Sequence, residues 1–124
     1  MSEPLFTKDH VWLSREGEIC TVGVTGYQFA DVVFVDLPEE GRIIRAGESV
    51  GTVETVADNH PVYSPISGRV IEKNVYVEQD AGRVNKSPFG QGWLFSVLTK
   101  PDARTVNLLD LDEYEQMIGT SLAR

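Results

Sequence analysis

Gly51 to Val70 reads GTVETVADNHPVYSPISGRV, the pattern of a hairpin with a second reversal behind it. Val50, Thr52, Glu54 and Val56 alternate with Gly51, Val53 and Thr55, the two-residue period of a strand whose faces differ. Ala57-Asp58-Asn59-His60-Pro61 then places polar and turn-forming residues between Val56 and Val62. Val62-Tyr63-Ser64 can return antiparallel, and Pro65 and Gly68 force the next reversal. Such a stem holds its tip out stiffly and can present one residue to visiting molecules.

The flanking sequence is also mostly β. Val11–Ser14 and Glu18–Val24 enclose the turn Arg15-Glu16-Gly17. In Asp31–Leu37, Val33, Val35 and Leu37 alternate with Val32, Phe34 and Asp36, which predicts one strictly apolar face formed by the first three. Pro38-Glu39-Glu40-Gly41 ends that strand, and Arg42–Arg45 offers another short one before the turn Ala46-Gly47-Glu48. Gly68–Lys73 leads away from the hairpin. Asn74–Gly92, with Pro88 and three glycines, reads as loop or short helix, and Trp93–Leu98 reads as the last strand. The period then changes. Leu111, Tyr114, Ile118 and Leu122 recur at helical spacing, with Asp110 or Asp112 as N-cap and Gly119 as stop, so a helix is expected over about 110–119. Many short strands followed by one helix predict a closed or sandwiched antiparallel architecture.

Composition narrows the function classes. The 124 residues fit a single domain, and 41% hydrophobic with 24% charged residues is ordinary for a globular protein. A net charge of −8 argues against nucleic acid and anionic membrane as partners, since both select basic patches. No apolar run reaches the ~18 residues of a membrane span, and MSEPLFTKDH reads as neither signal nor transit peptide, so a cytoplasmic location is expected. Cys20, the single cysteine, shares a strand face with Val22 and Val24 and reads as a small core residue. Two histidines, His10 and His60, give no metal-ligand pattern. Neither a phosphate-binding glycine loop nor a catalytic triad is present, so an enzyme in its own right is the least favoured class.

GTVETV, and after five residues VYSPISGRVIEKN, resemble the hairpin of the H protein of the glycine cleavage system. FTKDHVW (Phe6–Trp12), TVGVT (Thr21–Thr25), DVVFVDLPEEG (Asp31–Gly41) and VNKSPFGQGWL (Val84–Leu94) are similar to that family in the same order. The resemblance implies the flattened barrel-sandwich hybrid of lipoyl domains, over a core of about 6–98, with a short C-terminal helix. It also implies a carrier without catalytic activity, whose lipoic acid is joined to a lysine at the hairpin tip and serves as a swinging tether.

The departures from that pattern are as informative. The lipoyl-lysine position falls on Ala57, and the four lysines are Lys8, Lys73, Lys86 and Lys100. An alanine methyl is no nucleophile, so lipoic acid is expected only in a version with lysine at 57. A relative that bears no lipoyl group and a carrier whose lysine was replaced both fit. Beside this position Glu54 and Val56 are candidate cofactor-binding residues, and Asp58 and His60 either contact an arm or a docking enzyme or are ordinary polar turn residues. The N-terminal motif borders the arm in the family, so the resemblance implies that His10 with Asp9 shields it; a solvated surface pair is the alternative. Two acids that would hold a cationic amine on the arm are replaced by Val11 and Pro61. The family's short helix after TVGVT is reduced to Gly26–Ala30. These changes favour a carrier resembling the lipoate-binding proteins of sulfur oxidation, with lipoate ligase or lipoate-assembly enzymes and a heterodisulfide-reductase-like complex as partners. Glycine cleavage, with its P, T and L proteins, is the alternative; an unlipoylated binding or regulatory module is the third.

Overall fold

The computed structural model describes residues 3–27 and 29–122. Among them, nine strands form two antiparallel sheets. The larger has the order β1 (Leu5–Phe6), β2 (Val11–Glu16), β3 (Ile19–Val24), β9 (Phe95–Leu98), β8 (Gly68–Lys73) and β5 (Ile43–Ile44). The smaller has the order β4 (Val32–Asp36), β6 (Ser49–Thr55) and β7 (Asn59–Tyr63). Val22, Val24, Val70 and Val97 of the first sheet meet Val35, Val53 and Val62 of the second in one buried core. The sheets do not close on each other. The larger ends on two-residue strands, too short to carry a ladder onward, so of the closed or sandwiched antiparallel forms expected the sandwiched one is present.

Cys20 lies fully buried in this core, and burial pushes its thiol up to about 11. Gly23 has a different duty. A side chain there would begin 2.5 Å from the Trp12 indole, so its absence makes room for the ring on the neighbouring strand. The Trp12 ring nitrogen donates to the Pro88 carbonyl at 3.1 Å. Phe6, Trp12 and Tyr114 form a second buried cluster, against which Phe89, Trp93, Leu111 and Ile118 pack.

The C-terminal helix α3 (Leu111–Ile118) covers that aromatic cluster with Tyr114. Asp110 and Glu113 form a reciprocal capping box, and Gly119 ends the helix at φ 79°. Asn74–Gly92 contains two short helices, α1 (Val75–Gln79) and α2 (Arg83–Lys86). Asn74 caps the first and also donates to the carbonyls of Gln91 and Trp93, so Trp93 lies just outside β9. Among the described residues, no helix is long and apolar enough to cross a membrane.

Strand β4 departs from the predicted alternation. Val35 and Leu37 are buried as expected, but Val32 is buried and Val33 is 57% exposed. The cause is a bulge: Val32 pairs with Thr55 and Phe34 with Glu54, leaving Val33 as the extra residue. Val33 and Phe34 therefore both face outward.

Candidate functional site

The β6–β7 hairpin is tighter than its sequence suggests. Val53 pairs with His60 and Glu54 with Asn59, so Asn59, His60 and Pro61 belong to a strand instead of the expected five-residue turn. Pro61 is tolerated because β7 is an edge of its sheet, where a missing N–H need not break a ladder. The reversal itself is Thr55-Val56-Ala57-Asp58. One hydroxyl organises it: Thr55 Oγ1 accepts the N–H of Ala57 at 3.1 Å and of Asp58 at 2.9 Å, and donates to the Asp58 carbonyl at 3.1 Å. The Thr55 N–H donates to the same carbonyl at 2.8 Å. The Val56 N–H donates to the Asp31 carbonyl at 3.0 Å, tying the tip to the chain entering β4. Val56 and Ala57 project from this knitted turn into solvent, Val56 with 69% of its surface exposed.

Val33, Phe34, Glu54, Val56 and Asn59 lie around the outer face near this tip. Asp31 and Asp58 flank it and are exposed. On the other side His60 is half-buried, its ring 4.7 Å from that of Phe29.

His10 is held by a different part of the molecule. It sits at φ 67° in the turn before β2, its N–H donates to the Thr7 carbonyl, and its own carbonyl accepts the Thr25 N–H. Its Nδ1 is hydrogen-bonded to the Tyr114 hydroxyl at 2.7 Å, which also joins Thr25 Oγ1 at 2.8 Å. Burial holds the His10 pKa below its ordinary value; Asp9 opposes that and His60 adds to it. The His10 turn therefore lies near the hairpin, close enough for His60 to disfavour the charged form of His10. A solvated Asp9–His10 surface pair does not describe this geometry, since His10 is half-buried and anchored to helix α3.

Glu54, Val56, Ala57, Asp58 and His60 are therefore gathered on one hairpin, with His10 beside it. Sequence reasoning missed Tyr114, Thr25, Tyr27 and Phe29, which hold or face the two histidines. The helical period marked Tyr114 as a core residue, but nothing in the pattern showed where its hydroxyl goes. Of the two positions where acids were expected from the resemblance, Val11 is part of the core and Pro61 is exposed on the edge strand. The helix lost before β4 is absent among the described residues; Gln28 lies outside them.

Lipoyl attachment requires an amine, and the residues present do not fit it. Ala57 offers a methyl group, and no lysine occurs between Ser49 and Tyr63. Lys73 on β8 is engaged by Glu39 and Glu78. No cluster of three or more metal-binding side chains occurs among the described residues.

Comparison with known proteins places this geometry in a family. The glycine cleavage H-protein family model matches residues 5–121. The glycine cleavage system H protein of Bacteroides fragilis is 39% identical over 117 residues, covering 92% of this chain and 93% of that one. That of Rhodospirillum rubrum is 42% identical over 123 residues, covering 96% and 98%. The crystal structure of a glycine cleavage system H protein from Mycobacterium marinum superposes with a TM-score of 0.87 at 33% identity, covering 96% of this chain and 98% of that one. These relatives favour glycine cleavage over the sulfur-oxidising branch and lend no support to heterodisulfide-reductase-like partners. The chain belongs to the glycine cleavage H-protein family, whose members are lipoyl carriers without catalytic activity of their own.

Proposed function

We propose that this chain is a single-domain, cytoplasmic H protein of glycine cleavage that uses the β6–β7 hairpin as its presenting element, with Ala57 at the attachment position. The observation that carries the reading is the two-residue tip, exposed beyond a turn that Thr55 Oγ1 locks from three sides. A rigid root of this kind limits the volume an attached arm sweeps and so raises its effective concentration at a docked enzyme. Glu54, Val56 and Asp58 frame the position, and His60 lies on the other side of the hairpin, against Phe29. The P, T and L proteins and a lipoate ligase are the partners that this reading implies.

With alanine at 57, no amide to lipoic acid can form at the tip. In this form the protein keeps the shape of the carrier and lacks its arm. The test is intact mass after incubation with lipoate, ATP and a lipoate ligase, on the chain and on Ala57→Lys. The lysine variant should gain one lipoyl group and the chain none. If neither is modified, the tip is not an attachment site and the assignment of Ala57 fails.

A further inference from the structure

The outer face of the large sheet carries a groove that the hairpin does not share. Val11, Leu13, Cys20, Val22 and Val97 belong to the core, so the residues alternating with them on β2, β3 and β9 face outward. Register aligns Ser14 with Thr21 and Thr21 with Ser96 across this face. A register shift between Val70 and Glu72 then brings Glu72, not Ile71, beside Ser96. Trp12, Phe89 and Trp93 border this polar row, and Glu16 and Ile19 also line the groove. Its volume is about 510 Å³, within the range of small-molecule sites. None of residues 49–63 lines it.

Each part of this lining selects for positive charge on an apolar body. The indole and phenyl rings offer apolar area, and their electron-rich faces attract cations. Glu16 and Glu72 are the charged residues of the lining, which holds no lysine, arginine or histidine. Arg69 stands in the row of Ile19 and Leu98, outside the lining residues. Glu72 is exposed and is held in no ion pair among the described residues. Ser96 is only 7% exposed, and its hydroxyl, though it faces the groove, has no hydrogen-bond partner among the described residues. A hydroxyl so nearly buried gains by accepting an N–H from a ligand. An anionic ligand would be repelled by both carboxylates, and a neutral one would gain nothing from their charge.

We propose that this groove binds a small protonated amine with an aromatic or other broad apolar body. The rings hold the body, and the ammonium N–H groups donate to the Glu72 carboxylate and the Ser96 hydroxyl. Paired residues on one face of neighbouring strands lie about 5 Å apart at Cβ, close enough for one ammonium to reach both. The occupant is a free molecule and not a side chain of another protein, because three aromatic rings call for a broader apolar body than a lysine stem supplies. The site is independent of the assignment of Ala57, since the hairpin contributes nothing to it.

Trp12 and Trp93 are the two tryptophans of the chain and both line the groove, so intrinsic tryptophan fluorescence reports its occupancy. The probe is phenethylammonium, with phenethyl alcohol and hydrocinnamate as its neutral and anionic counterparts. A saturable change with a Kd of about 1 mM or below is expected for the ammonium. The alcohol should bind about threefold or more weaker, and hydrocinnamate not at all. Glu72→Gln should weaken the ammonium about threefold or more and bring it near the alcohol. Thr21→Phe, which sets a large strand-forming residue on the floor of the groove, should abolish binding, with the fold verified by far-ultraviolet circular dichroism. Val33→Ser, at an exposed side chain of the other sheet, should leave binding unchanged. Absence of saturation up to about 10 mM ammonium overturns the proposal. So does an ammonium affinity equal to that of the alcohol or untouched by Glu72→Gln, which removes the case for a cation. An affinity untouched by Thr21→Phe in a folded variant overturns it as well, because binding then lies elsewhere.

Discussion

Thr55→Val is the sharpest perturbation of the hairpin tip. The replacement is nearly isosteric, and Thr55 is buried, so packing changes little. What it removes is the oxygen that accepts from Ala57 and Asp58 and donates to the Asp58 carbonyl. A neutral hydrogen bond contributes about 1 kcal/mol net. The three do not add fully, because Ala57 and Asp58 are exposed and water can take over their N–H groups. The loss is therefore about 1–2 kcal/mol, corresponding to a fall in Tm of about 3–10 °C for a chain of this size. The backbone bond from the Thr55 N–H to the Asp58 carbonyl survives, so the hairpin stays formed while its tip loosens. Thermal unfolding by circular dichroism gives the first number. Amide hydrogen exchange gives the location, with faster exchange expected at Ala57 and Asp58 and no change in β2 and β3. An unaltered Tm together with unaltered exchange at the tip would refute the claim that one hydroxyl fixes this turn.

Three further outcomes follow from the same contacts. Gly23→Ala should destabilise by about 1–3 kcal/mol, because the new methyl begins 2.5 Å from the Trp12 ring; near-ultraviolet circular dichroism of the tryptophans should change with it. Tyr114→Phe keeps the stacked ring on Phe6, 4.7 Å away, but leaves His10 Nδ1 and Thr25 Oγ1 without their shared partner, a loss of about 1–3 kcal/mol measured by urea unfolding. The lowered His10 pKa has a definite sign: the unfolded chain takes up the proton first, so this contribution to stability is present above the ordinary histidine range and is lost as pH falls through it. His10→Asn, a residue that accepts the left-handed backbone at this position, should flatten the dependence of Tm on pH between about 7 and 5.5.

The strand pattern, the helix and its caps were legible because each rests on local chemistry. Asp110, Glu113 and Gly119 act within one or two turns of themselves. Three features were not legible, and each depends on a partner remote in the chain. The bulge that exposes Val33 arises from the register of β4 against β6, which no local alternation encodes. Asn59–Pro61 looked like turn because of residue type, yet Thr55 closes the reversal two residues earlier and an edge position accommodates the proline. The anchorage of His10 comes from Tyr114, 104 residues away. At the site, the motifs pointed to the hairpin tip, with Ala57 as the attachment position that the proposed function adopts, whereas the preference for sulfur oxidation rested on Val11, Pro61 and the shortened segment Gly26–Ala30. Val11 is core and Pro61 an edge residue, so the loss of acids there says less about pathway than the relatives do.

A lysine scan across the tip tests the central claim most directly. Val56→Lys, Ala57→Lys and Asp58→Lys each place one amine on the same turn, and intact mass with peptide mapping after treatment with lipoate, ATP and a lipoate ligase reads out which is used. The account predicts modification of Ala57→Lys at residue 57, little or none at 56 or 58, and none in the unaltered chain. Equal modification at all three positions, or modification at Lys8, Lys73, Lys86 or Lys100 in the unaltered chain, would contradict it.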